Sequence, residues 1–194
     1  MFITRLKQGQ FWIKDKAKQP KVSIFLGEFD KKTKNTSLKE VDIILAGLQK
    51  QISNLPENVF LINYPGEYDV KDVMVRGIQD GEHIIYTIDL FGEKIVYLEG
   101  LKNTNIDDHK LEQLGEVHVL ITAINGNDLD PKSAVKIVNR IEPRLVIPID
   151  YKQEDLIQFL KILGVEHQPE EESLQIQANA LPEEGLMVRI LKAS

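Results

Sequence analysis

The sequence contains no cysteine among its 194 residues. Disulfides and thiolate metal sites are therefore excluded, and a metal ion would need histidine or carboxylate ligands. Histidine is also scarce, because the chain has four scattered histidines, His83, His109, His118 and His167. A metal site built from clustered cysteine and histidine residues is therefore absent from the sequence pattern.

Long apolar runs are missing as well. The chain has no stretch of about eighteen apolar residues, and no charged segment leads into an apolar one near its start. We therefore expect a cytoplasmic protein that makes no membrane contact. The net charge of −6 argues against a general grip on a phosphate backbone, so nucleic acid is not expected as a partner.

The overall composition is that of an ordinary folded domain, with 42% hydrophobic and 28% charged residues. A chain of this length can bury one sizeable core. We therefore expect a single domain over residues 1–194.

The most informative stretch runs from Phe60 to Ile78. Its first residues form a short apolar strand, and Pro65-Gly66 then predicts a tight corner in which Gly66 takes a positive φ. Alternation of apolar and polar residues over 73–78 predicts a second strand. The stretch is therefore interpreted as strand, corner and strand, with the corner serving a structural role.

The remaining elements follow from periodicity and from turn or cap residues. Strands are predicted at 2–6, 10–14, 22–29, 41–46, 83–89, 93–98, 117–122 and 144–151, and Phe91-Gly92 is predicted to join two of them as a hairpin. Helices are predicted to begin after Asn105 and after Asp130, and a third to end at Gly164. The tail predicts a terminal hairpin or strand pair between 174–176 and 187–190. Trp12 is expected to anchor a sheet face, and His118 to be a hydrogen-bonded structural histidine.

Two segments resemble a known family. The run 65–71, followed by Arg76-Gly77-Ile78, and the run 144–151 are similar to segments of the metallo-β-lactamase-fold proteins, in particular of the branch of ascorbate-6-phosphate lactonases. The resemblance implies an α/β (α+β) protein folded as a four-layer αββα sandwich. It also implies a family whose active members hydrolyse substrates at a two-metal site.

The metal-ligand positions that the resemblance assigns are altered in this chain. The family's Ser-His-x-His-x-Asp-His loop aligns with the segment after the strand 41–46, where the four ligand positions hold Leu48, Lys50, Ile52 and Ser53. The bridging aspartate position holds Gly100 beside Glu99, and the histidine of the closing strand is replaced by Asp150. Leucine and isoleucine have no donor atom and an ammonium group repels a cation, so the loop does not suit metal binding.

Two hypotheses remain open at this point. In the first, the protein is a metal-free, non-catalytic scaffold that binds an unidentified protein or small molecule. In the second, it is a hydrolase of lactonase or phosphodiesterase type, in which Asp150 and Glu99 act as acid and base, Lys50 holds an anionic substrate, and a divalent metal binds weakly. We also expect Lys50 to pair with Asp150 or Glu99, and the protein to form at least a homodimer.

The sequence lacks the motifs of two other classes of enzyme. The chain has no Gly-x-Ser-x-Gly motif and no glycine-rich phosphate loop. The sequence therefore offers no replacement nucleophile.

Overall fold

The computed structural model describes residues 1–6, 9–16, 20–27, 40–53, 55–98, 106–125, 129–177, 181–182 and 185–193. Within these ranges the first strands are β1 (Phe2–Arg5), β2 (Phe11–Lys14), β3 (Ser23–Leu26), β4 (Ile43–Leu45), β5 (Phe60–Ile62), β6 (Gly66–Val70) and β7 (Val73–Asp80). The later strands are β8 (His83–Leu90), β9 (Glu93–Leu98), β10 (Val119–Ala123), β11 (Leu145–Ile149), β12 (Leu174–Gln175) and β13 (Met187–Val188). The helices of the same ranges are α1 (Asp108–Leu114), α2 (Pro131–Ile141) and α3 (Gln153–Leu163).

The strands form two mixed sheets that face each other. The first sheet has the order β12-β1-β2-β3-β4-β5, and the second has the order β13-β11-β10-β9-β8-β7-β6. One buried cluster of apolar side chains joins the two inner faces, with Phe11 and Ile24 from the first sheet and Ile88 and Ile121 from the second. Burial of this apolar surface is the main force that holds the sheets together.

The helices lie outside the sheets, which confirms the predicted αββα class. Apolar residues of α1, α2 and α3 pack on the outer face of the second sheet in a second buried cluster. The outer face of the first sheet is covered differently, because Phe25 and Ile44 are buried beside Ile52 and Leu55 of the segment that follows β4. Trp12 packs on this face and donates its indole N–H to Ser23 Oγ, as expected for a sheet anchor.

Local chemistry explains where the helices begin and end. The Asp130 carboxylate accepts hydrogen bonds from the backbone N–H groups of Lys132 and Ser133, and proline occupies the first turn of α2, as predicted. The N-cap of α1 is Asp107, and not Asn105 as predicted. Asn105 lies outside the described ranges. The Asp107 carboxylate accepts a hydrogen bond from the backbone N–H of Lys110 at 2.8 Å, as an N-cap side chain does.

The Pro65-Gly66 corner carries the chain from one sheet to the other. Strand β5 is an edge of the first sheet and β6 is an edge of the second, and Gly66 has a φ of 149° as the turn requires. The predicted corner with a positive φ at Gly66 is therefore confirmed. The strand β6 itself was not predicted as a separate element.

The second sheet grows by short hairpins. The turn Lys71-Asp72 has φ values of 54° and 62°, and Phe91-Gly92 has 54° and 81°. Positive φ at both central residues defines the type I′ turn that suits a two-residue hairpin. The predicted hairpin at Phe91-Gly92 is thus confirmed.

The tail does not form the predicted terminal hairpin. Strand β12 pairs antiparallel with β1 in the first sheet, whereas β13 pairs parallel with β11 in the second. The prediction was wrong because two short apolar runs indicate strands without indicating their partners. Each sheet gains one strand from the last part of the chain.

Candidate functional site

The carboxyl ends of β4, β5 and β9 meet at one end of the sandwich. Tyr86 of β8 reaches across to the first sheet, where its hydroxyl lies 2.6 Å from the carbonyl oxygen of Ala46 and 2.9 Å from that of Ile62. Tyr97 of β9 donates its hydroxyl to the carbonyl of Gly9 at 2.6 Å. Since β10 and β11 run parallel to β9, the segments after all these strands leave the sandwich at this end.

Tyr86 is a buried polar anchor of this end. Burial raises the pKa of its hydroxyl strongly, and the neighbouring Tyr68 raises it further. The phenol is therefore protonated at neutral pH and acts as a hydrogen-bond donor. It fixes the point where the segment 46–53 begins.

The segment 46–53 carries the four positions that the family resemblance aligns with metal ligands. Leu48 packs against the core between the sheets, whereas Ile52 packs on the outer face of the first sheet. Lys50 and Ser53 are exposed. The segment is tied to the residue after β5, because Asn63 Nδ2 donates to the carbonyl of Lys50 at 2.8 Å. The four side chains therefore do not converge on one point.

One of the two expected partners of Lys50, Asp150, does not pair with it. In the ranges that the structure describes, no ion pair within 4.0 Å joins Lys50 to Asp150, and the side chain of Lys50 is exposed. Glu99, the second expected partner of Lys50, lies outside the described residues, and so does Gly100. The exposed side chain of Lys50 thus does not pair with Asp150, and its pairing with Glu99 stays a prediction.

Asp150 directly follows β11 and is half-buried. Its φ of 49° is left-handed, a conformation that aspartate and asparagine tolerate better than most residues. The next residue, Tyr151, lies beneath the guanidinium of Arg5, with 5.4 Å between Arg5 Cζ and the ring centroid. Burial raises the pKa of the Tyr151 hydroxyl, Arg5 lowers it and Glu170 raises it. This contact anchors the segment that carries Asp150.

These residues do not fit a two-metal site. Across the described part of the chain, no three histidine, aspartate or glutamate side chains come together as a group able to hold a metal ion. Among the described residues at the positions that the resemblance assigns, only Asp150 has a carboxylate that could bind a metal ion. A single carboxylate does not supply the convergent ligands that a hydrolytic metal centre needs.

His118 lies away from this site, near the start of β10. Its Nδ1 accepts a hydrogen bond from the backbone N–H of Lys94 at 2.9 Å and lies 3.1 Å from Glu93 Oε2. Its role as a structural histidine is therefore confirmed. His83 begins β8, as expected for a strand residue.

A polar groove of about 500 Å³ runs between α1 and the strands β6 and β7. Its cations are neutralised by neighbouring carboxylates, since Arg76 pairs with Glu67 at 2.6 Å and Lys110 pairs with Asp80 at 2.6 Å. The groove therefore presents little net charge to a ligand. Sequence patterns did not point to it, because its lining comes from three separate elements.

Comparison with known proteins identifies the family. The sequence profile described as the beta-lactamase superfamily domain matches residues 29–150, which is more than half of the chain. The chain belongs to this superfamily. A search of curated protein sequences finds no match to the chain.

Solved structures place the fold within the metallo-β-lactamase group. A candidate zinc-dependent hydrolase of the metallo-β-lactamase superfamily from Thermotoga maritima is 19% identical, has a TM-score of 0.77, and is matched over 98% of this chain and 100% of its own. A candidate metal-dependent hydrolase from Parabacteroides distasonis is 11% identical, with a TM-score of 0.64 and coverage of 99% and 93%. The metallo-β-lactamase fold protein YhfI from Bacillus subtilis is 8% identical, with a TM-score of 0.62 and coverage of 99% and 97%. At these identities the likeness shows the fold alone.

Proposed function

We propose that this protein is a metallo-β-lactamase-fold scaffold that has lost stoichiometric metal binding and catalysis and acts by binding a partner. The observation that carries this proposal is the chemistry of the segment 46–53. Its four ligand positions hold two apolar side chains, one ammonium and one hydroxyl, and Leu48 and Ile52 pack in different apolar clusters. Side chains that are committed to apolar packing cannot also coordinate a metal ion.

The second candidate is a metal-dependent hydrolase with a remodelled carboxylate site. It is favoured by the two structural relatives named as candidate hydrolases and by the position of Asp150 after β11. In this case Asp150 and Glu99 would act as ligands or as acid and base, and a hard divalent ion would be held weakly. The branch of ascorbate-6-phosphate lactonases would then suggest a lactone or phosphodiester substrate.

Elemental analysis separates the two candidates. The protein is expressed with added zinc or manganese, purified without chelator, and analysed for metal per chain. The scaffold proposal predicts far less than one metal ion per chain and no lactonase or phosphodiesterase turnover. About one ion per chain, with turnover that chelator abolishes, would reject it in favour of the hydrolase.

The variant Asp150→Asn makes this test sharper. If Asp150 is a metal ligand, the variant loses metal and turnover together. If the scaffold proposal is correct, metal content stays at the same low level, because asparagine also tolerates the left-handed backbone at this position.

We also propose that the protein forms at least a homodimer, because a fold without catalysis is retained through its interaction surfaces. Sedimentation velocity should show a species larger than a monomer at high micromolar concentration. A monomer throughout would contradict this part of the proposal.

None of the helices in the described ranges has the length and apolar content that crossing a membrane requires.

A further inference from the structure

Strand β6 is an edge strand whose outer side has no neighbouring strand in the described ranges. Val70 pairs with Val73 across the two-residue turn, so this pair exchanges backbone hydrogen bonds, and so do the pairs at Tyr68 and Gly66. The residues between them, Glu67 and Asp69, therefore direct their N–H and C=O groups away from the sheet. This edge offers backbone donors and acceptors to an added strand.

The side chains on the outer face of this edge are acidic. Asp69 is exposed, and it does not take part in the ion pairs found among the described residues. Across the strands it lies opposite Met74, which in turn lies opposite Asp89. Glu67 is paired with Arg76, but it keeps 67% of its side chain exposed. A basic side chain on an added strand would find a carboxylate here.

The inner face of the same edge carries the aromatic ring of Tyr68, with two further aromatic residues nearby in the chain. Tyr68 is partly buried against the core between the sheets. Its ring lies 6.3 Å from that of Phe60 in an edge-to-face arrangement, and Phe60 is 45% exposed. Tyr64, whose carbonyl accepts the Tyr68 hydroxyl at 3.1 Å, is 52% exposed. An apolar side chain on an added strand would pack on these rings.

We propose that β6 accepts, by strand addition, an extended segment of another protein in which basic and apolar residues alternate. Successive side chains of a strand point to opposite faces, so this alternation places basic groups beside Asp69 and apolar groups beside Phe60. The proposal uses none of the altered metal positions. It therefore stands or falls independently of the function proposed above.

A second copy of this chain is a poor occupant of the same edge. Pairing of β6 with itself around a two-fold axis at Tyr68 would set Glu67 of each copy opposite Asp69 of the other. Like charges directly opposite each other destabilise a strand pair, and each chain carries a net charge of −6. The acidic edge thus disfavours self-pairing and favours a basic partner.

The test uses a short capped peptide in which lysine and valine alternate. The first control has the same composition with its lysines in one block, and the second alternates glutamate with valine. Nuclear magnetic resonance titration should show binding of the alternating lysine peptide alone, with slowed hydrogen exchange at the amides of Glu67 and Asp69. Equal binding of the block peptide would reduce the effect to nonspecific charge attraction and overturn the proposal.

Two substitutions at one position separate backbone pairing from charge. Asp69→Pro removes an outward N–H group that β7 does not use, so the variant should fold while binding the peptide at least about tenfold more weakly. Asp69→Asn keeps the N–H group and should weaken binding less. If Asp69→Pro does not fold, the exchange measurement on the unaltered protein decides. Unchanged affinity of a folded Asp69→Pro variant would show that the peptide does not pair with the outward backbone of β6 and would overturn the proposal. Absence of peptide binding at about 1 mM would overturn it as well.

Discussion

The Tyr86 hydroxyl and the Ala46 carbonyl oxygen lie 2.6 Å apart and connect the second sheet to the first. Both residues are buried. Tyr86 lies in β8, and Ala46 is the first residue of the segment 46–53. Strand pairing alone cannot hold the two sheets in register, because they share no backbone hydrogen bonds within the described sheet order. Polar contacts of this kind fix the relative position of the sheets.

The first prediction concerns this contact. Tyr86→Phe should lower the free energy of unfolding by about 1–3 kcal/mol, because the carbonyl of Ala46 loses its buried donor. Urea unfolding monitored by circular dichroism measures the change. Tyr64→Phe is the control, since its exposed ring is expected to change stability by less than about 0.5 kcal/mol.

The second prediction concerns alkaline pH. The folded state raises the pKa of Tyr86, so the protonated phenol is favoured by folding, and this contribution is complete below the unfolded value of about 10. As the pH rises above about 10, unfolding becomes easier because the unfolded chain releases the proton first. Melting temperatures between neutral pH and pH 11 should therefore fall less steeply for Tyr86→Phe than for the unaltered protein. Parallel curves would contradict this assignment.

The third prediction tests the corner between the sheets. Gly66→Val should lower the free energy of unfolding by about 1–3 kcal/mol, because a residue with a Cβ rarely adopts its φ of 149° and the added atom would lie 3.4 Å from the Tyr68 hydroxyl. Gly47→Ala is the matched control, since it has no positive φ and its added Cβ meets nothing within 4 Å. Thermal melts should therefore show a lower melting temperature for Gly66→Val than for Gly47→Ala.

The fourth prediction concerns the cap of α2. The Ser133 hydroxyl, which donates to Asp130, is the main cause of the lowered pKa of that carboxyl, and the backbone N–H groups of Ser133 and Lys132 add to it. A lowered pKa means that the carboxylate stabilises the fold above about pH 4 and that this contribution disappears as the pH falls below that value. Asp130→Ala should cost about 1 kcal/mol at pH 7, whereas Asp130→Asn should preserve the cap. Acid titration should then show a smaller loss of stability for the asparagine variant than for the unaltered protein.

The fifth prediction concerns the backbone of Asp150. Asp150→Ala should be less stable than Asp150→Asn by about 0.5–1 kcal/mol, because alanine lacks the tolerance for a φ of 49° that asparagine shares with aspartate. Chemical unfolding of the two variants provides the comparison. Equal stabilities would indicate that the carboxylate itself, and not its backbone conformation, determines the residue at this position.

Sequence patterns predicted the elements whose burial is periodic. Strand β10 is buried throughout and α2 carries a cap and an apolar stripe, so both were placed close to their observed positions. Strand β6 was missed because its residues are largely exposed and charged, as an edge strand allows. A periodic sequence pattern arises where one face of an element is buried, and the side chains of β6 are mostly exposed.

The candidate site was predictable in its residue types but not in its geometry. The family resemblance aligned Leu48 and Ile52 with ligand positions, and this alignment stays a prediction. It could not reveal that these two side chains pack on different faces of the first sheet, because that depends on how the segment turns after Ala46. The polar groove beside α1 and the open edge of β6 depend equally on contacts between distant segments.

The pairing of β12 with β1 has a consequence for how the protein is made. Ile3 lies opposite Leu174, so the first sheet cannot be completed until the segment around Leu174 has left the ribosome. At a synthesis rate of about 5–20 residues per second, β12 is made about ten seconds or more after β1. Until then β2 is the neighbour of β1 in this sheet. During that interval one edge of β1 has no strand partner in this sheet, so closure of the sheet must await the synthesis of β12.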